Sequence, residues 1–372
     1  MEITAAVLSA LNAPHDFRRL TLDPPRRDEV LVKIAATGVC ASDAHTRSGR
    51  IPSPMPCVLG HEGAGVVVDT GEGVTHVVPG DHVALSWMPN CGTCRYCTAG
   101  RPVLCSASAP ALLAGTLMDG TVRMHDGDQD IHHYSFLSTF ADHTVVPAAS
   151  AVKIPDSVPL DVAALAGCGV LTGYGAVVNR AKVAPGDTVV IYGAGGVGLS
   201  AVMGAQLAGA DQIIVVDPQE DKRAGAEIFG ATRMLAPSDD VVATVRRLTG
   251  GAGADVAIDA VGANGLLEQA FDATTPGGTV VCVGVPAADS YAQVPGARFV
   301  REEKFLTGSL YGSSRPGQDI PKLLSLFASG RLPIDKLVSQ TYRFDELDTA
   351  FDDLAAGSNR RGVVIVDPDL VN

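Results

Sequence analysis

Thr188-Val189-Val190-Ile191-Tyr192-Gly193-Ala194-Gly195-Gly196-Val197-Gly198 runs from a short β-branched segment straight into three glycines spaced GxGxxG. A strand that feeds such a turn and then opens a helix is the phosphate-binding unit of a dinucleotide fold. Each glycine has its own task. Gly193 permits the tight turn, Gly195 lets a pyrophosphate approach the backbone, and Gly198 lets helix and strand pack closely. Gly196 and Val197 begin the helix, whose free N–H groups and positive dipole end face the phosphates. The next apolar run, Gln212–Val216, ends in Asp217, about 20 residues on, where a carboxylate accepts hydrogen bonds from both ribose hydroxyls and repels a 2′-phosphate. That favours NAD over NADP. Lys222 is placed to reach the adenosine ribose, and Arg223 beside it keeps NADP open. FAD and S-adenosylmethionine use similar turns, but neither accounts for the metal-type residues upstream.

Outward from this unit the chain alternates apolar strands with helix-length stretches. Strands are expected at Thr188–Tyr192, Gln212–Val216, 255–259, 279–283 and Phe305–Gly308, with helices at Gly196–Ala208 and 220–229 between them. That order marks βαβ units around a parallel sheet. Upstream, turn-bounded β-branched runs at 5–8, 29–34 and 65–68 read as an all-β body. The texture changes after about Ala163, and past Tyr311 a helix at 320–329 and a strand at 362–366 return to the first body. The reading is an α/β protein in which a dinucleotide domain, 170–309, is inserted in a β-rich domain made of 1–169 and 310–372.

Composition agrees. With 372 residues, 46% hydrophobic and 19% charged, the chain supports two cores and is not disordered. No window of about 18 uninterrupted apolar residues argues for a membrane. A net charge of −13, with basic spots such as Arg18-Arg19, Arg26-Arg27 and Arg360-Arg361 short and scattered, disfavours nucleic acid as a partner. No apolar leader follows Met1-Glu2-Ile3-Thr4, so a cytoplasmic location is expected.

Eight cysteines then matter. Cys91-x2-Cys94-x2-Cys97-x7-Cys105 can wrap one tetrahedral ion with four thiolates and no open position, which describes a structural zinc. A ferredoxin-type run closes with a shorter gap and a proline, whereas Ser106 follows here. In a reducing compartment, clustered cysteines bind metal or do catalysis more often than they form disulfides. Cys40, His61 and Cys168 remain. Two thiolates and one imidazole are the ligand set of a zinc that keeps a position free. Cys57 and Cys282 lack an apparent partner and read as core thiols.

These residues resemble the zinc-dependent medium-chain alcohol dehydrogenases, particularly their long dimeric branch of liver-type and glutathione-dependent formaldehyde enzymes. The resemblance rests on Gly60-His61-Glu62, the four-cysteine lobe, the spacing of Cys40, His61 and Cys168, and 193–198. It spans nearly the whole chain, and the long stretch between Cys105 and Val145 is similar to the dimeric branch. It implies a Rossmann domain inserted in a GroES-like catalytic domain, two zinc ions per chain, NAD and a homodimer. The Cys₂His catalytic ligand set is the known one of that family.

The resemblance further implies alcohol–aldehyde interconversion. Zinc would lower the pKa of a bound alcohol, and hydride would pass to nicotinamide. Ser42 and His45 match the hydroxyl and histidine of the family's proton relay. Glu62 matches a glutamate behind the zinc, and Asp43 an aspartate that orients the ligand histidine. Trp87, Tyr134, Ser135, Val285 and Leu310 match substrate-channel positions. Tyr134 is open to two readings, an aromatic wall or a hydroxyl offered to a polar substrate. Aromatic walls suit a flat primary alcohol.

Departures narrow the expectation. Ala41 stands where relatives carry the Arg that holds the pyrophosphate, leaving Arg361 as a substitute. Gly49, Ile51 and Ser108 stand where the formaldehyde branch grips glutathione. The competing readings are a thiol-adduct formaldehyde dehydrogenase, a nicotinoprotein with captive NAD(H), a biosynthetic reductase, and a non-catalytic protein that binds zinc and NAD.

Overall fold

The computed structural model describes residues 1–287 and 289–371. The chain divides into two compact units, one of Met1–Cys168, Arg315–Gly330 and Ile334–Asn372, the other of Gly169–Ser314 and Arg331–Pro333. The expected α/β architecture, with the dinucleotide fold inserted in a β-rich fold, is observed.

In the inserted unit a parallel sheet runs in the order Arg233–Leu235, Gln212–Val216, Thr188–Tyr192, Ala254–Asp259, Thr274–Cys282, Phe305–Gly308. Thr188–Tyr192 is central and buried at every residue, as parallel strands are when helices cover both faces. Val190, Ile214, Val245 and Phe271 meet in its core. Two elements differ most from expectation. Strand Thr274–Cys282 starts earlier than 279 and passes through Pro276-Gly277-Gly278, residues that read as a turn. The 220–229 helix is α-helical over Glu220–Ala226 and finishes as a tighter turn, Glu227–Phe229.

In the β-rich unit, Glu2–Leu8, Asp16–Leu22, Met124–Asp126, Gln129–His133 and Cys57–Val58 close a small barrel around Val7, Leu20, Met124 and Phe140. A second sheet positions the chemistry. Its long strand Glu29–Val39 pairs antiparallel with Gly63–Thr70 on one side and with Arg361–Ile365 on the other. Cys40 ends that strand, His61-Glu62 lead into its first neighbour, and the pairing Gly362↔Val39 sets Arg361 beside both. Three segments remote in sequence converge by register alone.

The helical run Leu160–Ala181 is not among the elements expected from the sequence. Its 22 residues are apolar enough to cross a membrane by length and composition, but its most apolar window is 83% buried in the fold, so its surface is spent on core contacts. The glycines at 167, 169, 173 and 175 hid it, because glycine is a poor helix former. Two stretches of the run, Ala166–Val170 and Ala176–Ala181, have the wider π geometry, and the first carries Cys168.

His133, 1% exposed at the end of a barrel strand, accepts a hydrogen bond at Nε2 from the Arg123 N–H at 3.1 Å. Burial, with Arg123 nearby, pushes its imidazole down to about 3. The unfolded chain, with a histidine near about 6.5, therefore binds more protons below that pH, and stability falls as pH drops through the window. We expect the unfolding free energy, and with it the Tm, to fall with acidification from about pH 6.5, the free energy by up to about 1.4 kcal/mol per pH unit from this group. His133→Gln keeps an acceptor but cannot charge, so its Tm should depend less on pH there; an unchanged slope would contradict this assignment.

Candidate metal centres and nucleotide site

Cys40 sits at the N-cap of the short helix Ala41–Arg47. Asp43, on the first turn, is fully buried and tied on both oxygens. Oδ2 accepts the Cys40 N–H at 3.2 Å, and Oδ1 accepts the Gly60 N–H at 3.1 Å and His61 Nδ1 at 3.0 Å. Fixing Nδ1 leaves Nε2 as the nitrogen free to bind a metal. Cys168 reaches the same point because Gly167 lets its helix press on the adjacent strand, where any Cβ would collide with the Leu85 carbonyl. Ligand atoms of Cys40, His61, Glu62 and Cys168 lie within 4.8 Å of one another, all four residues buried. Two thiols, an oriented imidazole and a carboxylate match the donor chemistry of zinc, so the residues fit that ion.

The electrostatics suit a cation. A hydrogen bond from Cys168 drives the Cys40 thiol well below its ordinary value, with Arg361 and His61 adding to it. The same bond, together with burial, drives Cys168 well above. Burial opposes charge on His61, but Asp43 and Cys40 carry its pKa well above the usual imidazole range. Burial raises Glu62 to about 7 against the pull of Arg361. Arg361, 5% exposed, is ion-paired with Glu62 through Nη2. The structure thus places this guanidinium beside the thiol–imidazole group, paired with Glu62 inside the β-rich unit. Sequence proximity carried no sign of this; strand register did.

Ser42 and His45 lie one helical turn apart on Ala41–Arg47, so they share a face. Both are partly exposed, and burial, then Arg50, holds His45 below its ordinary pKa. Tyr134 is buried, and its hydroxyl donates to the Ser42 carbonyl at 3.3 Å. Trp87 is partly buried and packs on the core containing Val32, Val67 and Leu137, which commits part of its indole to the fold. Thr46, absent from the sequence reading, is fully buried against Tyr134 and on Ser42's side of the helix. Its i, i+4 spacing from Ser42 was the available signal.

The second cluster is the lobe of Cys91, Cys94, Cys97 and Cys105, whose sulfurs lie within 4.8 Å of one another. Cys94 and Cys97 sulfurs are 3.5 Å apart, across the helical turn Arg95–Thr98, and no disulfide joins the described cysteines. Backbone N–H groups of Cys97 and Ser106 hold the Cys94 thiol down at about 5, while burial pushes Cys97 up to about 12. The Cys91 N–H donates to Cys105 and the Cys94 N–H to Cys91, at 3.4 and 3.3 Å. Amide donors aimed at sulfur stabilise thiolates, which is the state a four-sulfur zinc needs.

In the inserted unit Gly193 has φ +97°, and no heavy atom outside the loop comes near the position a Gly195 Cβ would take. Gly196 and Val197 begin the helix Gly196–Ala208. Asp217 is 7% exposed; Oδ2 accepts the Ala194 N–H at 2.8 Å and Oδ1 the Gln219 N–H at 2.9 Å, which locks the carboxylate to the glycine turn. Arg223 is turned inward, donating to the Asp217 and Pro218 carbonyls at 2.7 and 2.9 Å. Lys222 is half-buried on the next helix. Val285 and Leu310 are exposed on this unit, at 57% and 45%. A Cβ on Gly198 would collide with the Gly193 carbonyl. We therefore expect Gly198→Ala to raise the Kd for NADH by about 5- to 150-fold, since overpacking costs about 1–3 kcal/mol. Fluorescence titration measures it, and unchanged affinity would separate this turn from nucleotide binding.

Comparison with known proteins agrees with both units. Residues 26–156 match the alcohol dehydrogenase GroES-like domain, and residues 196–329 match the zinc-binding dehydrogenase domain. The NDMA-dependent alcohol dehydrogenase of Amycolatopsis methanolica is 42% identical over 99% of this chain and 100% of its own. Among solved structures, an alcohol dehydrogenase zinc-binding domain protein from Burkholderia ambifaria is 36% identical with a TM-score of 0.95, covering 99% of each chain. The benzyl alcohol dehydrogenase of Acinetobacter calcoaceticus is 34% identical with a TM-score of 0.94, covering 99% of this chain and 100% of its own.

Proposed function

The chain belongs to the zinc-binding alcohol dehydrogenase family, and on that premise we propose that it interconverts primary, preferably aromatic, alcohols and their aldehydes using NAD. It is an alcohol oxidoreductase whose cofactors are zinc and a nucleotide. The finer reading is that the nucleotide is NAD and that zinc binds twice, once at each cluster. The observation that carries it is the buried Cys40–His61–Cys168 group, with His61 aimed by Asp43.

When bound, zinc supplies the Lewis acidity that makes an alcohol proton easy to lose, and NAD takes up the hydride. The protein's residues do the rest. Cys40, His61 and Cys168 would hold the ion. The Ser42 hydroxyl takes the alcohol proton, and His45, one turn on, passes it to solvent. The lowered pKa of His45 keeps it able to receive that proton near neutrality. Arg361 balances the Glu62 carboxylate so that the buried group does not accumulate negative charge. One proton and one hydride leave the alcohol, and the aldehyde remains.

The aromatic preference draws on Trp87 and Tyr134 and on the likeness to a benzyl alcohol dehydrogenase. Asp217 supports NAD, with Arg223 occupied by backbone carbonyls rather than free for a 2′-phosphate. The long segment between Cys105 and Val145 supports the long-branch reading and, with it, a homodimer. A second reading has a specific support. One relative is NDMA-dependent by name, and dependence on an added compound is what a captive NAD(H) would produce. Purified, zinc-replete protein should therefore be given primary, benzylic and secondary alcohols with free NAD, with and without NDMA, and without thiol. NADH released on benzylic alcohols supports the leading reading. Turnover only with NDMA moves the assignment to a captive cofactor, and turnover only with thiol moves it to a formaldehyde adduct.

A further inference from the structure

We infer that Tyr134 is a positioning residue that holds His61 and the Ser42 turn in one register, an inference that rests on the proposed relay through Ser42. Its ring meets the His61 imidazole edge-on, with centroids 5.6 Å apart at 77°. Its hydroxyl lies 2.9 Å from Thr46 Oγ1 and donates to the Ser42 carbonyl at 3.3 Å. Thr46 Oγ1 reaches the same carbonyl at 3.0 Å. Three oxygens and two hydroxyl protons close a triangle in a nearly dry site, with Tyr134 8% and Thr46 0% exposed. The Tyr134 hydroxyl is thereby consumed inside the protein, and it is not the donor that a polar substrate would meet.

The consequence runs along the chain. Pinning the Ser42 carbonyl fixes the peptide plane between Ser42 and Asp43, and with it the direction of the Ser42 side chain. Asp43 ties Cys40 to His61 through its carboxylate, and Tyr134 ties the turn after Cys40 to the face of His61. The two braces are independent in chemistry, one ionic and one made of neutral hydroxyls and a ring. A relay hydroxyl must be held to within about 0.5 Å to work, and in this site Tyr134 and Thr46 supply that constraint.

The test uses the zinc-replete holoenzyme and three variants, Tyr134→Phe, Thr46→Val and the double variant, with Ser42→Ala as a reference. Tyr134→Phe keeps the ring on His61, so the visible spectrum of the cobalt-substituted protein and its metal content should match the parent. Its kcat should fall about 10-fold at unchanged KM, with a larger solvent isotope effect, because a supporting contact typically costs about 10–100-fold. Thr46→Val should do the same, and the double variant should be no worse than the worse single one. A parental kcat and isotope effect in Tyr134→Phe overturn the inference. So do additive losses, a lower Tm with an unchanged isotope effect, and a loss confined to KM for polar alcohols. If Ser42→Ala keeps full kcat, the relay itself fails. If Ser42→Ala is slow and Tyr134→Phe is not, the positioning role alone fails.

Discussion

Replacing His61 with Ala is expected to lower kcat/KM by at least about 10³-fold, because a Lewis-acidic ion supplies several kcal/mol of transition-state stabilisation. The variant should also lose one zinc of two, while the four-cysteine lobe keeps its own. The argument is geometric. His61 is 3% exposed, its Nδ1 is held by Asp43, and its neighbours in the cluster are two thiols and a carboxylate. With the imidazole gone, Cys40 and Cys168 would face Glu62 with little to offset its charge but the guanidinium of Arg361. Metal analysis and kinetics on the same preparation check both parts. Retained activity with one zinc lost would place the reaction elsewhere.

The second large effect concerns the lobe. Cys97→Ser should remove one zinc per chain and open the 91–105 segment, while the Cys40 group keeps its ion. Structural zinc in small peptides is worth about 10–16 kcal/mol, far more than the few local contacts of this segment replace. Of the four cysteines only Cys105 is buried, and the lobe's secondary structure amounts to single helical turns, Arg95–Thr98 and Pro102–Leu104. Loss should therefore appear as local unfolding rather than collapse of the whole molecule. The exposed Arg95 becomes a trypsin site, whereas cleavage after Arg101 stays blocked by Pro102. A variant that keeps two zinc ions and resists cleavage at Arg95 would show that the lobe holds none.

Much of this was legible in the sequence where short-range chemistry decides. Strands Thr188–Tyr192, Gln212–Val216 and Phe305–Gly308 and helix Gly196–Ala208 fall at the expected residues, because β-branched runs and the glycine turn specify them locally. The convergence of Cys40, His61 and Cys168 was expected from ligand types and resemblance, and the structure brings them together. What stayed hidden depends on register and packing. Arg361 gave no local sign of pairing with Glu62, since only the antiparallel pairing Gly362↔Val39 brings them together. Helix Leu160–Ala181 was masked by glycines whose purpose is close approach, as Gly167 shows against Leu85. Tyr134 is open to two readings in the sequence, an aromatic wall or a hydroxyl for a polar substrate, because a side chain's hydrogen-bond partners cannot be read from spacing. Its partner Thr46 is an ordinary helix residue until the fold buries it.

The measurement that bears most directly on the central claim is absorbance at the reduced-nicotinamide band when a benzylic alcohol is mixed with NAD and protein carrying two zinc ions. The account predicts a rise that depends on the alcohol and vanishes in His61→Ala. No reduction of either free or protein-bound nicotinamide by any primary, benzylic or secondary alcohol, with both zinc ions present, would contradict it.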